Sequence, residues 1–253
     1  MAPAPRDGVI FVATGAGYLD LAQQAARSLR DTNPDLPIDV FTDLMDQPGN
    51  AVFDQVHAVP STHPRVKLEC FAKARFERVL FLDCDVLVLA PLGDLFDLTD
   101  RFALSLAHDV RRRSELIQTG HSSVTPYAFP QMNSGVMVYR NDDAMAAFFA
   151  EWKRRYDTAG AARDQITLRD LLWESDLRFY VLPPEFNLRR VTELDAWEPL
   201  DAIPTIVHSH RLLQHLRGAG ERVTNLERLR QLERDALDEE WAKDNGRAPW
   251  QPL

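Results

Sequence analysis

Two carboxylates one residue apart, Asp83 and Asp85, are set between apolar runs in Val79-Leu80-Phe81-Leu82-Asp83-Cys84-Asp85-Val86-Leu87-Val88-Leu89. The first run reads as a strand buried on both faces, as in a parallel sheet, because large and β-branched apolar residues fill it without alternation. Side chains alternate along an extended chain, so both aspartates point the same way. Like charges delivered together by a buried strand repel and lose hydration unless a cation meets them. Hard carboxylate oxygens suit magnesium or manganese, and a divalent ion held there can carry a phosphorylated ligand. The plainer alternative is a solvated pair that turns the chain at the strand end. His208 and His210 are further metal-ligand candidates, and strand alternation puts both on one face without separating them.

Repeated strand–helix alternation supplies the frame for these groups. Strand patterns fall at 9–13, 38–42, 55–59, 79–82, 102–106, 135–139, 179–182 and 203–208, and helical patterns at 19–30, 65–76, 142–156 and 164–174. Asp142-Asp143 is placed to cap a helix, and Asp164 reads as the N-cap of the next one. Leu226, Leu229, Leu232, Ala236, Leu237 and Trp241 recur at helical spacing, so a terminal amphipathic helix is expected, for core packing or self-association into a homo-oligomer. A polar stretch from His108 to Gln131 contains Arg111-Arg112-Arg113 and Gly120, and a loop of that length in a compact domain is usually functional. The expected architecture is one α/β domain over 1–253, with a mostly parallel central sheet flanked by helices and ligands at the carboxyl ends of its strands. Its parts would be a nucleotide-binding half (about 1–107), an acceptor and metal half (about 108–223) and the terminal helix (about 224–243).

Composition narrows the partners. A net charge of −9 argues against general affinity for nucleic acid or anionic membrane. No basic-plus-apolar leader opens the sequence and no apolar run approaches a membrane span, so no integral membrane segment is expected. The two cysteines, Cys70 and Cys84, offer no disulfide framework, which fits a reducing cytoplasm. Cys84 reads as a small core residue rather than a nucleophile.

Several pieces resemble, in order, the nucleotide-sugar glycosyltransferases of the GT-A (Rossmann-like) fold, especially the retaining glycosyltransferase family 8 and its bacterial relatives. They are Phe11-Val12-Ala13-Thr14-Gly15-Ala16-Gly17-Tyr18, Asp83-Cys84-Asp85, Met132-Asn133-Ser134-Gly135-Val136-Met137, Arg163-Asp164-Gln165 and Val207-His208-Ser209-His210. The resemblance implies that Asp83 and Asp85 hold manganese or magnesium on the diphosphate of a UDP-sugar, with His208 best placed to complete the set and His210 as the alternative. It implies that Tyr18 stacks on uracil beside Thr14 and Gly15, that Thr42 and Asp43 reach base or ribose, and that Lys67, or else Arg65, meets the donor. Asn133 and Ser134 would face the sugar or acceptor, and Asp164 and Gln165 would lie near the reacting sugar carbon.

The sequence departs from the family in two places. Gly15, Ala16 and Gly17 replace the acidic and amide residues before the tyrosine, and Ser209-His210-Arg211 replaces a Gly and Lys-Pro-Trp element, leaving Arg211 as the substitute phosphate cation. The function implied is metal-dependent transfer of a hexose from UDP-sugar to a sugar, glycan, lipid or protein acceptor, with retention of configuration. A magnesium phosphatase of the haloacid dehalogenase type also ends a strand with Asp-x-Asp, but usually near the chain start and with Thr or Val where Leu87 stands. A sugar nucleotidyltransferase would want basic residues in the first Gly-rich loop, and there are none. The non-enzyme alternative is a degenerate nucleotide-sugar-binding protein.

Overall fold

The computed structural model describes residues 6–110, 112 and 121–243. Its main sheet has seven strands in the order β3-β2-β1-β4-β7-β6-β8. They are β1 (Asp7–Ala13), β2 (Ile38–Thr42), β3 (Gln55–Ala58), β4 (Arg78–Leu82), β6 (Leu104–His108), β7 (Met132–Arg140) and β8 (Phe179–Val181). Pairs β3/β2, β2/β1, β1/β4 and β6/β8 are parallel, and β7 runs antiparallel to both β4 and β6. The sheet is therefore mostly parallel with helices against it, as the alternation predicts. A second, two-stranded sheet pairs β5 (Val86–Val88) antiparallel with β9 (Ile206–His208).

Strand alternation splits the core into two layers. Leu80 and Leu82 of β4 point into one layer with the apolar face of α1 (Gly15–Thr32), while Val79 and Phe81 point into the other. That second layer is centred on Phe71, whose ring lies 4.8 Å from Phe81, 5.0 Å from Phe149 and 5.8 Å from Trp152. A short helix α2 (Lys67–Cys70) brings Phe71 there, and α3 (Asp143–Ala159) and α4 (Asp164–Glu174) pack over it. Asp142 caps α3 by accepting from Met145 N at 2.9 Å, and the helix ends on Gly160 at φ 59°, a conformation glycine adopts without steric cost. Helix α5 (Leu226–Lys243) covers a third cluster containing Leu87, Leu188, Val207 and Leu229, and Leu226, Leu229 and Leu232 of its apolar stripe are used in that packing. The arginines Arg111 and Arg113 and Gly120 of the polar stretch lie outside the described residues.

Several sequence expectations shift. The helix expected over 65–76 is only one α turn followed by a 3-10 segment, Phe71–Lys73. The expected turn at 14–17 is instead the start of α1, because Asp43 Oδ1 accepts from Gly15 N at 2.8 Å and satisfies a free amide of the first turn. Asp83-Cys84-Asp85 is the link between β4 and β5 rather than part of a strand. Asn133 and Ser134 lie inside β7, not before it. Asp164 is the first residue of α4, and the N-cap is Arg163.

Candidate active site

Backbone bonds set the aspartate link. Asp83 N donates to Gly135 O at 2.8 Å, and Ser209 N donates to Asp85 O at 3.0 Å. In the small sheet Val86 pairs with His208, which puts the imidazole beside the carboxylates. His208 Nε2 is 3.4 Å from Asp85 Oδ1 and 3.9 Å from Asp83 Oδ2. One potential ligand atom from each of the three residues lies within 4.8 Å of the others. The strand stops at His208, Ser209 caps the following 3-10 helix through Arg211 N, and His210 is exposed. Alternation does not continue, so His210 is separated from His208 and is absent from the cluster.

Gly135 keeps this corner open. A Cβ there would collide with His208 Cε1 and stand 2.7 Å from His208 Nδ1 and 2.8 Å from Asp83 Oδ2. Two carboxylates and an imidazole form a donor set of hard oxygens and a borderline nitrogen, which fits manganese or magnesium. Burial opposes the charge of Asp85, but His208 and Arg189 outweigh it and hold the carboxyl below its ordinary range. Cys84 between them donates to Val12 O, and burial with the two flanking carboxylates pushes its thiol well above its usual value, so it is no nucleophile.

A second charged group adjoins the first. Lys67 Nζ lies 3.2 Å from Asp83 Oδ1, 3.3 Å from Ser134 Oγ and 3.6 Å from Asp164 Oδ2. Burial alone would lower its pKa, yet Asp164 and Asp83 raise it, and Lys67 stays an ammonium. Asp164 is 4% exposed and takes a 3.1 Å hydrogen bond from Ser134 Oγ, with Arg65 Nε at 3.7 Å. Burial would push its carboxyl up, but Lys67 and Arg65 hold it down. Trp152 Nε1 donates to Asp164 O at 2.9 Å and fixes the start of α4, and Gln165 follows, half-buried.

Asp83 and Asp85 of the first group and Lys67 and Arg65 of the second line a cleft of about 300 Å³ at the carboxyl ends of β1 and β4, together with Thr14, Tyr18 and Leu213, whereas His208, Ser134 and Asp164 lie outside its lining. Tyr18 is 46% exposed, so its ring is available to a ligand rather than packed in the core. Gly15 and Asp43, joined to each other as described, are not among the residues lining the cleft. Arg211 departs from expectation. Its Nε points toward the nearly buried Glu233 of α5 at 3.9 Å, away from the cleft lining, because a buried carboxylate needs a cation partner. Arg112, from the arginine run, is stacked 4.7 Å over Tyr127 and donates to its carbonyl.

Asn187 and Arg189 were not visible from sequence. Asn187 Oδ1 is 3.0 Å from His208 Nδ1, and Arg189 Nη1 donates to His208 O at 3.3 Å. Their only sequence signal is a pair of polar residues on either side of the apolar Leu188.

The family model described as nucleotide-diphospho-sugar transferase matches residues 63–213. The chain belongs to that family. The match sets aside the phosphatase alternative and spans the aspartate link, Asn133, Asp164 and His208. No curated protein sequence matches this nucleotide-diphospho-sugar transferase family member. Among solved structures, it resembles the glycosyltransferase GlyE of Streptococcus pneumoniae TIGR4 with a TM-score of 0.59 at 17% identity, over 98% of this chain and 66% of that one. It resembles the galactosyltransferase LgtC, solved in complex with donor and acceptor sugar analogs, with a TM-score of 0.56 at 19% identity over 81% and 87%. Mouse xyloside xylosyltransferase 1 aligns with a TM-score of 0.54 at 14% identity over 81% and 98%. These likenesses establish the GT-A fold. The chain spans just under two thirds of the length of GlyE.

Proposed function

We propose that this protein is a metal-dependent glycosyltransferase that moves a hexose from a UDP-sugar to an acceptor with retention of configuration. The observation that carries this reading is the convergence of Asp83, Asp85 and His208 at the edge of a cleft that also presents Tyr18 and Lys67. Asp83, Asp85 and His208 would hold manganese or magnesium, which when bound offsets the negative charge of departing UDP. Tyr18 offers a face for the base, with Thr14 in the same lining and Gly15 and Asp43 as the further donor contacts that the family 8 resemblance implies. Lys67, kept protonated between Asp83 and Asp164, supplies a fixed positive charge where a diphosphate would lie. Ser134 orients Asp164 through its hydroxyl, and Asp164, Gln165 and Asn133 would face the transferred sugar, as the family 8 resemblance implies. The chemistry is then mainly positioning and charge stabilisation.

Retention, the hexose and uridine are taken from the family 8 resemblance, and the likeness to the galactosyltransferase LgtC is in keeping with a hexose donor. The acceptor is a sugar, glycan, lipid or protein. Free, buried Cys70 and Cys84 favour a reducing compartment such as the cytoplasm, and no helix among the described residues is long and apolar enough to cross a membrane.

Calorimetric titration of UDP with manganese, repeated with chelator, tests the reading. Binding that disappears with chelator, followed by metal-dependent UDP release from a UDP-hexose, is expected. Binding without turnover would return the protein to a nucleotide-sugar-binding role, and no binding in either condition would refute the donor site.

A further inference from the structure

His208 faces the two carboxylates through Nε2, and the other ring nitrogen is held by groups outside the metal candidates. The backbone N–H of Gly135 donates to Asn133 Oδ1 at 3.0 Å. A backbone N–H is always a donor, so the amide atom it meets is the carbonyl oxygen of Asn133. That same oxygen lies 3.1 Å from Asn187 Nδ2, which donates to it. Asn187 Oδ1 is thereby turned toward His208 Nδ1, 3.0 Å away. An amide oxygen accepts only, so Nδ1 carries the proton. In the neutral imidazole Nε2 then has no hydrogen and presents its lone pair to the corner shared with Asp83 and Asp85. Asn133, Asn187 and His208 are exposed by 4%, 3% and 3%, so water does not compete for these bonds. One obligate backbone donor sets the direction of the whole relay.

We infer that Asn187 is a positioning residue that, through Asn133 and Gly135, locks His208 in the Nδ1–H tautomer and makes Nε2 the metal-binding atom. The inference rests on the metal reading above. Without the amide, the imidazole is free to carry its proton on Nε2, where it would point a hydrogen at the carboxylates and remove a ligand. Loss of such an outer partner typically costs about 10- to 100-fold in metal affinity.

The test uses the full chain and two readouts. Nitrogen-15 NMR of metal-free wild type, at a pH above the imidazolium titration and with the His208 signal assigned by its loss in His208→Gln, should show protonated Nδ1 and bare Nε2. Asn187→Ala should shift that signal toward the Nε2–H form and weaken manganese binding, measured by calorimetry, by about 10- to 100-fold. A wild-type His208 protonated on Nε2 overturns the inference whether or not the variant folds. So does an Asn187→Ala protein that keeps both the tautomer and the manganese affinity. Failure of wild type to bind manganese, with the Nδ1–H tautomer intact, would refute the metal reading and leave the relay standing.

Discussion

Gly135→Ala adds a single methyl group at the point where the candidate ligands are closest to backbone. Its carbon would collide with His208 Cε1 and sit 2.7 Å from Nδ1 and 2.8 Å from Asp83 Oδ2, whereas unstrained carbon contacts lie at about 3.5–4.0 Å. Relief needs a displacement on the order of 1 Å. The backbone of Gly135 is pinned by Asp83 N and by Asn133 Oδ1, so the imidazole and the Asp83 carboxylate must give. Overpacking of this kind costs about 1–3 kcal/mol, which in a chain of this size lowers the melting temperature by roughly 2–4 °C per kcal/mol.

The functional effect should be separable from that cost. Manganese at about a hundred times its dissociation constant stabilises wild type by about 2.7 kcal/mol, and the variant, with its ligands pushed apart, should lose most of that increment. Thermal melts with manganese plus UDP and with chelator read both quantities on the same samples. A variant that keeps the full ligand-dependent rise in melting temperature would show that His208 and Asp83 do not need the space Gly135 leaves, and the three-ligand site would fall with it.

Asp85→Asn should abolish manganese-dependent UDP binding in calorimetry while the chelated protein still melts cooperatively, and normal binding would sink the metal assignment. Tyr18→Ala should weaken UDP binding by about 1–2 kcal/mol, in line with loss of base stacking on an aromatic ring, with the metal requirement intact, and unchanged affinity would return Tyr18 to a packing role. Phe71→Ala removes the hub of the second core layer and should cost about 3–5 kcal/mol in denaturant unfolding. Asp142→Ala should cost about 1 kcal/mol through loss of the α3 cap. Burial opposes the charge of Asp142, but Arg140 and the Met145 amide lower its pKa, so the cap's contribution is present above the ordinary carboxylate pKa and fades as pH falls through the lowered one. Acid titration of stability should therefore be flatter in the variant.

The main sheet was readable because β1 and β4 carry continuous apolar runs bounded by polar residues, and a strand buried on both faces leaves that signature. The aspartate pair was readable because charges stand out between such runs. What escaped depends on contacts distant in sequence. Alternation could not choose between His208 and His210, since the choice is made where β9 stops and Ser209 begins a 3-10 helix. Gly15-Ala16-Gly17 looks like a loop, yet α1 begins there, with Gly15 at φ 76° and its N–H donating to Asp43 just beyond the end of β2. Asn-Ser-Gly suits a turn, but Asn133 satisfies Gly135 N within β7 and the strand continues. Arg211 fits the phosphate role by analogy, whereas Glu233 of α5 draws it elsewhere. Asn187 carries no pattern at all, and its importance follows only from what its two amide atoms touch.

The small β5–β9 sheet has a consequence for how this protein acquires its site. Asp83 and Asp85 leave the main sheet through β4, and His208 arrives on a strand from far along the chain that pairs with β5 on one side and is bridged by Leu188 on the other. Closing that loop costs entropy that local contacts do not repay, so β9 is expected to dock late in folding. Metal-binding competence then arrives in one step, when the last part of the chain settles, and not gradually as the core consolidates. A ligand that bridges Asp85 and His208 would tie the early-formed sheet to the late-docking segment and slow its release. The same seam makes the segment from β9 through α5 a point of control, because freeing it would silence the site while leaving most of the core folded.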